Sequence, residues 1–380
     1  MGTPNILIID DQPEEHSGLK LYLKESAKAQ VNVLHPQDVE IDDILTAQLV
    51  LIDYGLDNWL ERDSLESLSC KPKDGLALAS ILRRHIYDHE QASPTAFALY
   101  TGKIDNLSHP FPSNDRQHTL ASINNLEWVF QKAMPGTEAT VSDRIAELAT
   151  AVLRLPANWP SDGGDQPMRQ LADLLGIRFD DEANELLLQD VASCLPPIHE
   201  LSQWSHGLSV LRWLLQRILP FPCFLWDSYH LAARFRVDHS ALLNALEGDK
   251  PLQKQLADCE YKGLLATFLG PRWWRSKVES FLWEITDGNS SEVEAVRDAI
   301  SQAANEALPA SLPPDHPIVC VNADYQPLNT FYRMEDAVRI RPDDWPAYAD
   351  QAWMPIELAK SEPKLHALVI HEDLELLDKI

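Results

Sequence analysis

Asn5-Ile6-Leu7-Ile8-Ile9-Asp10-Asp11 is an apolar run closed by two adjacent acids, and it has counterparts further along the chain. Leu49-Val50-Leu51-Ile52 ends on Asp53, and Ala96-Phe97-Ala98-Leu99-Tyr100 ends on Thr101. Leu126-Glu127-Trp128-Val129-Phe130-Gln131 ends on Lys132. Short apolar runs without alternation read as strands buried on both faces of a parallel sheet. The intervening segments 14–29, 41–45, 76–85 and 141–155 carry apolar residues at helical spacing, and 31–35 reads as a further strand. The pattern is therefore α/β. In such a sheet the functional crevice lies beyond the carboxyl ends of the strands, so the polar residues that close the runs are expected to converge. Three carboxylates, a hydroxyl and an ammonium in one crevice suit a divalent cation and a phosphoryl group.

This set of residues, in this order, resembles the phosphoacceptor site of a response-regulator receiver domain. The resemblance covers residues 1–155 and implies a doubly wound, five-stranded parallel sheet of the flavodoxin-like type. It implies that Asp53 accepts the phosphoryl group from a histidine kinase or phosphotransfer protein. It also implies Mg²⁺ held by Asp11, Asp53 and the backbone carbonyl of Gly55, with Asp10 in support. Thr101 would hydrogen-bond the phosphoryl group and Lys132 would pair with its charge. The chemistry explains these residue types. Neighbouring carboxylates raise the cost of charge on Asp53, and a hard cation offsets it while bridging to phosphoryl oxygens. Phosphoryl transfer needs in-line placement and charge neutralisation more than acid–base work. Lys132 is a point charge on a flexible stem. Gly102 leaves the acceptor open to a donor.

The chain departs from the receiver pattern at specific places. Asp57 and Ala133 stand where the family has Pro, and Val129 stands where it often has a switching aromatic, with Trp128 and Phe130 on either side. Insertions are expected over 58–74 and after Thr101, where Pro110, Pro112 and Ser113 cluster. A receiver kept only as a docking platform is the alternative these departures raise.

Composition limits the rest. The 380 residues are enough for two or three domains, and 45% hydrophobic content supports a substantial core. A net charge of −26 disfavours non-specific binding to nucleic acid or an anionic membrane surface. The five cysteines, Cys70, Cys194, Cys223, Cys259 and Cys320, form no C-x-x-C pair and read as reduced thiols of a cytoplasmic protein. The start of the chain runs into a strand with no signal-peptide pattern. The apolar stretch 208–226 is interrupted by Arg212, Arg217, Pro220 and Pro222, so it reads as a buried helix rather than a membrane span.

Residues 156–167 are rich in Pro and Gly and read as a linker. Residues 168–310 are expected to form a mainly helical effector domain, with helices at 168–175, 182–194 and 201–219. Within it, 228–246 has the spacing of a helix-turn-helix through Ala232, Val237 and Leu242, with Asp238 or Ser240 as the second cap. Arg236 occupies the turn position usually held by Gly, and the second helix offers His239, Ser240 and Asn244 but no Lys or Arg. From Met168 onward there are 19 basic and 33 acidic residues, so DNA contact there is disfavoured. In the basic–aromatic patch 272–277, Trp273 reads as core with Phe281 and Leu282. His206, His230 and His239 read as structural or surface residues. Residues 311–380 are expected to be a small α+β part with strands at 318–321 and 365–370. Between those strands an acidic loop rich in Trp and Tyr suits a defined contact.

Together these readings describe a bacterial two-component response regulator with Mg²⁺-dependent phosphorylation at Asp53. Its output is expected through protein–protein contact of the C-terminal region, with a possible homodimer through the last receiver helix. It is read as no enzyme beyond its own phosphorylation. A DNA-binding transcription regulator, an effector enzyme with an unrecognised site and a pseudo-receiver adaptor are the alternatives.

Overall fold

The computed structural model describes residues 2–59, 72–87, 89, 93–102, 104, 107, 116–132, 137–156, 158–160, 164–198 and 207–378. Most of both expected insertions, Ala133, Cys70, His206 and part of the 156–167 linker lie outside the described residues.

The apolar runs form β1 (Asn5–Ile9), β2 (Gln30–Leu34), β3 (Leu49–Ile52), β4 (Ala96–Thr101) and β5 (Trp128–Gln131). All pair in parallel in the order β2-β1-β3-β4-β5. This is the doubly wound, flavodoxin-like order, in which the chain starts inside the sheet and builds outward in both directions. The crossovers are α1 (Ser17–Glu25), α2 (Ile41–Thr46), α3 (Gly75–Tyr87), α4 (Gln117–Ile123) and α5 (Glu138–Leu153). Val50, Ile52, Phe97 and Leu99 pack with Leu78 and Leu82 of α3 and Leu120 of α4 in one buried cluster. The first helix is shorter than its periodicity implies. Pro13 opens a 3-10 turn over Pro13–His16, and the α-helix begins only at Ser17.

Register aligns the strand ends. Ile9 pairs with Ile52, Ile52 with Leu99, and Leu99 with Val129. Main-chain bonds carry the alignment one residue further, from Asp10 N to Leu34 O (3.2 Å), Asp53 N to Ile9 O (3.0 Å) and Lys132 N to Thr101 O (2.8 Å).

Beyond this sheet come α6 (Gln166–Leu174), α7 (Glu185–Ser193) and α8 (Leu208–Trp213), which runs on into a π-helical stretch, Leu214–Ile218. The chain then divides into two compact units, 1–175 with 196–217 and 176–195 with 218–380. The division does not fall at the expected 156–167 linker. The first unit continues through α6 and takes α8 back from the region expected to be effector.

A buried acid ties that returning segment to the sheet. Glu127, immediately before β5, is fully buried, and its Oε1 accepts from Arg212 Nε of α8 at 2.7 Å. Its Oε2 accepts from Arg83 Nη2 of α3 at 3.3 Å and from Phe97 N at 2.5 Å. Burial pushes the Glu127 carboxyl up, but the two guanidiniums and the Phe97 amide outweigh it and hold it below its ordinary value. Nearby, Gln216 Nε2 donates to Leu126 O at 3.0 Å.

The second unit holds α7, β6 (Leu225–Trp226), α9 (Ser228–Phe235), α10 (His239–Ala245), α11 (Pro251–Gln255), β7 (Trp273–Trp274), α12 (Arg275–Ile285) and α13 (Val293–Ala304). Trp273 and Leu282 are buried in its core and Phe281 packs against them, as the sequence implies. Antiparallel pairs follow, of β8 (Ile318–Val321) with β9 (Pro327–Tyr332) and of β10 (Ala337–Ile340) with β11 (Ala352–Pro355). The acidic Trp- and Tyr-rich stretch over 337–353, expected as a loop, therefore opens with β10 and runs into β11, and β9 precedes it. Of the strand expected over 365–370 only the end is realised, as an antiparallel bridge of Val369 with Ile340 flanked by hydrogen bonds from Arg341 N to Leu368 O (2.8 Å) and Ile370 N to Arg339 O (3.1 Å). Its start is taken by α15 (Pro363–His366), which follows α14 (Ile356–Ser361) and which Pro363 suits as a first-turn residue. The chain then reaches α16 (Leu374–Asp378). No helix among the described residues is long and apolar enough to cross a membrane.

The helix-turn-helix spacing is realised locally. Asp227 caps α9 through His230 N, and Asp238 caps α10 through Ala241 N at 2.9 Å. Arg236 takes the left-handed conformation usual for Gly, with φ 61°, while Ala232, Val237 and Leu242 are fully buried. His239 stacks on Tyr229 at 3.9 Å and shares a hydrogen bond with Ser228 Oγ at 2.9 Å, so the first residue of α10 is engaged within its own motif.

Candidate functional site

Asp10, Asp11, Asp53, Gly55, Thr101 and Lys132 all lie at the carboxyl ends of β1, β3, β4 and β5 or in the loops that follow them. Lys132 Nζ stands 3.0 Å from Asp53 Oδ1 and 3.5 Å from Asp10 Oδ2, so one ammonium bridges two of the acids. The other Asp53 oxygen, Oδ2, accepts the Gly55 amide at 2.8 Å. Asp11 Oδ2 accepts from Asn58 N at 2.5 Å. Thr101 is buried at the end of β4, and exposed Gly102 beside it leaves open space, its nearest neighbour being Lys132 Cδ at 4.0 Å from a Cβ built there.

The acceptor loop is held by a close backbone approach. Gly75 N donates to Tyr54 O at 2.9 Å, and a Cβ at Gly75 would lie 2.2 Å from the Asp53 carbonyl oxygen. The expected Asp74-Gly75 start of the helix is thus also a packing requirement at the acceptor.

The charges are unequally balanced. Burial pushes the Asp53 carboxyl up and the Asp10 charge adds to this, while Lys132 and the Gly55 amide pull it down, and the net direction is upward. Asp11 is also raised, by burial first and then by Asp10 and Asp53, against the Asn58 amide. Asp10 goes the other way, because His16, the Gln12 amide and Lys132 outweigh its burial and hold it below its ordinary value. Lys132 is held above its ordinary value, the two carboxylates outweighing its desolvation.

His16 is the member that sequence reading missed. It is buried in the 3-10 turn ahead of α1, and its Nε2 lies 2.5 Å from Asp10 Oδ2. Asp10 Oδ1 accepts from Gln12 N at 2.8 Å. Both Asp10 oxygens have partners, as do both Asp53 oxygens, but only at Asp11 and Asp53 do burial and neighbouring carboxylates outweigh those partners and raise the carboxyl. That donor set, two carboxylates and the carbonyl of Gly55, suits Mg²⁺, which takes hard oxygens from one or two carboxylates and keeps several waters. Among the described residues no group of three or more His, Cys, Asp or Glu is placed to hold a metal ion, so Mg²⁺ here would rest on two carboxylates, one carbonyl and water.

No family model matches the chain, and no curated protein matches it. A solved structure of the RcsB response regulator of Salmonella typhimurium, described for its DNA interaction, is 15% identical over 56% of this chain and 98% of that chain. Its TM-score of 0.25 is too low to bear on the fold, so the receiver-like reading of the N-terminal region rests on the sheet order and the residues at the strand ends.

Proposed function

We propose that this chain is a bacterial, cytoplasmic response regulator whose receiver accepts a phosphoryl group at Asp53 from a histidine kinase or phosphotransfer protein. The observation that carries the reading is Lys132 Nζ at 3.0 Å from Asp53, in a crevice shared with Asp10 and Asp11 at the ends of parallel strands. In the transfer an Asp53 oxygen attacks phosphorus, the donor's P–N bond breaks and an acyl phosphate forms. Mg²⁺, when bound by Asp11, Asp53 and the Gly55 carbonyl, would neutralise charge on the phosphoryl oxygens. Lys132 pairs with the phosphoryl charge, the Gly55 amide orients the acceptor, and Thr101 supplies a hydroxyl donor. His16 and Gln12 keep Asp10 fixed.

Output through protein–protein contact of the C-terminal unit fits its acidic composition. The realised helix-turn-helix favours a second reading, a transcription regulator, and a salt-dependent mobility shift of labelled DNA by the full chain would support it. For the main reading the test is Mg²⁺-dependent labelling by acetyl phosphate, followed by intact mass, in wild type and Asp53→Asn. Labelling in wild type alone is the expected result. No labelling of folded wild type with Mg²⁺ present would establish a pseudo-receiver.

A further inference from the structure

Cys194 and Cys223 meet inside the second unit, although the chain between them leaves it. Cys194 is the C-cap of α7, and Cys223 lies just ahead of β6. Both are free thiols, and the Cys223 thiol donates a hydrogen bond to the Cys194 sulfur. Residues 196–217, which lie between them in sequence, belong to the first unit. Two of the three places where the chain passes from one unit to the other are therefore bracketed by these two sulfurs.

The two thiols are not equivalent. Cys194 Sγ faces three donors, the Cys223 thiol, the Ser193 hydroxyl at 3.9 Å and the Phe224 amide. Hydrogen bonds of this kind favour the thiolate. The Cys223 thiol contributes most, and the donors together outweigh burial and the Asp190 carboxylate and hold Cys194 below its ordinary value. Cys223 sits in a continuous buried run over 221–226, and burial first, then Cys194, pushes its thiol up. Its proton has a second acceptor in Ile218 O at 3.8 Å. Cys194 is itself buried, but Ala192, Ser193 and Leu195 beside it are exposed, so it lies one residue from water. The thiolate is the nucleophile in sulfur chemistry, so the pair offers an attacking sulfur and a protonated partner within hydrogen-bond reach. Cys259 and Cys320 are the contrast, pushed up by burial to about 11 and about 12.

We propose that Cys194 and Cys223 are a reversible dithiol–disulfide pair that responds to hydrogen peroxide, with Cys194 attacking and Cys223 resolving. The Cys194 thiolate attacks one peroxide oxygen and the O–O bond breaks. The sulfur is oxidised to a sulfenic acid, and the departing hydroxide takes up a proton as water. The Cys223 sulfur then attacks Cys194 Sγ, the S–O bond breaks, and the Cys223 proton leaves with the hydroxide as a second water. Two thiols and one peroxide thus give one disulfide and two waters, and a dithiol reductant reverses the bond by exchange. Intracellular disulfides are usually transient and redox-sensing, which accords with thiols that are free at rest. The bond closes a ring that contains all of 196–217, so the point where the chain leaves the second unit is clamped to the point where it returns. This input does not pass through Asp53, and it stands or falls apart from the phosphoacceptor reading.

The test treats the reduced full chain with hydrogen peroxide, alkylates the remaining thiols, digests without reductant and maps the peptides by mass. A peptide pair linked through Cys194 and Cys223, lighter by two hydrogens than its reduced parts and released by dithiothreitol, is the expected product. In Cys223→Ser the link cannot form, and dimedone should trap the sulfenic acid at Cys194. In Cys194→Ser the Cys223 thiol should stay unmodified. The oxidised chain should melt at least about 4 °C above the reduced one, because the bond closes a long loop in the unfolded chain. Both Ser variants should lack that peroxide-dependent rise. The wild-type map decides the matter if a Ser variant does not fold. Folded wild type whose two thiols both remain alkylatable after peroxide overturns the assignment, as does oxidation of Cys259 and Cys320 as readily as Cys194. A dimedone adduct at Cys223 in Cys194→Ser overturns the division of roles, and equal melting of the oxidised and reduced chains overturns the clamp.

Discussion

Replacing Glu127 by Gln removes one buried charge and little else. The amide keeps the shape of the carboxylate and an acceptor for Phe97 N, but it cannot balance Arg83 and Arg212. Removing one partner from a buried ion pair costs about 3–5 kcal/mol. The Arg83 and Arg212 side chains keep 20% and 33% of their exposure, so water recovers part of their solvation. The expected loss is therefore about 2–3 kcal/mol. In a unit of this size each kcal/mol moves the Tm by about 2–4 °C, which gives a fall of about 4–12 °C. Calorimetry on the full chain would show it as the movement of one transition, since two units need not melt together. Arg212→Met should destabilise too, and the double variant should show coupling of about 1–3 kcal/mol. The pH dependence follows in sign. Glu127 is held below its ordinary value in the folded chain, so the unfolded chain takes up the proton more readily. The stabilisation is fully present above the ordinary carboxylate range and is lost as pH falls through and below it. The Gln variant should therefore have a flatter acid limb than wild type. A Gln variant that melts within 1 °C of wild type with the same acid limb would refute the reasoning.

Lys132→Met removes the ammonium 3.0 Å from Asp53 and should slow acetyl phosphate labelling about 10²-fold, the usual effect of deleting one oriented charge-stabilising donor. Quench-flow with mass detection measures this, and an unchanged rate would exclude the assigned role. Gly75→Ala forces a Cβ onto the Asp53 carbonyl, so both the Tm and the labelling rate should fall, by about 1–3 kcal/mol in stability. Arg236→Gly removes a left-handed strain of about 1–2 kcal/mol and adds a glycine entropy of about 0.5–1 kcal/mol, leaving a gain of up to about 1.5 kcal/mol in urea titrations. A loss of stability there would mean that the Arg236 side chain matters more than its backbone.

The sheet and its polar strand ends were legible because the signal is repeated. Four apolar runs each end on a residue of the required chemistry, and parallel pairing brings strand ends together whatever the intervening loops do. The two ion networks were much less visible. His16 lies in a polar stretch after Pro13, and only the 3-10 turn aims its ring at Asp10. Glu127 did leave a trace, an acid inside an otherwise apolar run, but its partner Arg212 is remote in sequence and no local pattern connects them. At 365–370 only the last residues pair with β10, because a short apolar stretch carries no period of its own and Pro363 just before it starts a helical turn over its first half. The helix-turn-helix was read correctly from Ala232, Val237 and Leu242 although Arg236 breaks the glycine preference, because three buried positions constrain the geometry more than one turn residue does.

The return of 196–217 to the first unit determines when that unit can be finished. On the ribosome the five strands, Arg83 and Phe97 are all made before Arg212, which follows Glu127 by 85 residues, so the full set of partners of Glu127 exists only after that segment is translated. Neither unit is a continuous stretch of chain, so a protease cut or a cloning boundary at 156–167 removes α6 and α8 from the first unit and leaves them as a foreign appendage on the second. Pieces made that way would report the properties of two incomplete bodies, and a dissection that respects the molecule has to keep the chain whole and silence one unit by substitution.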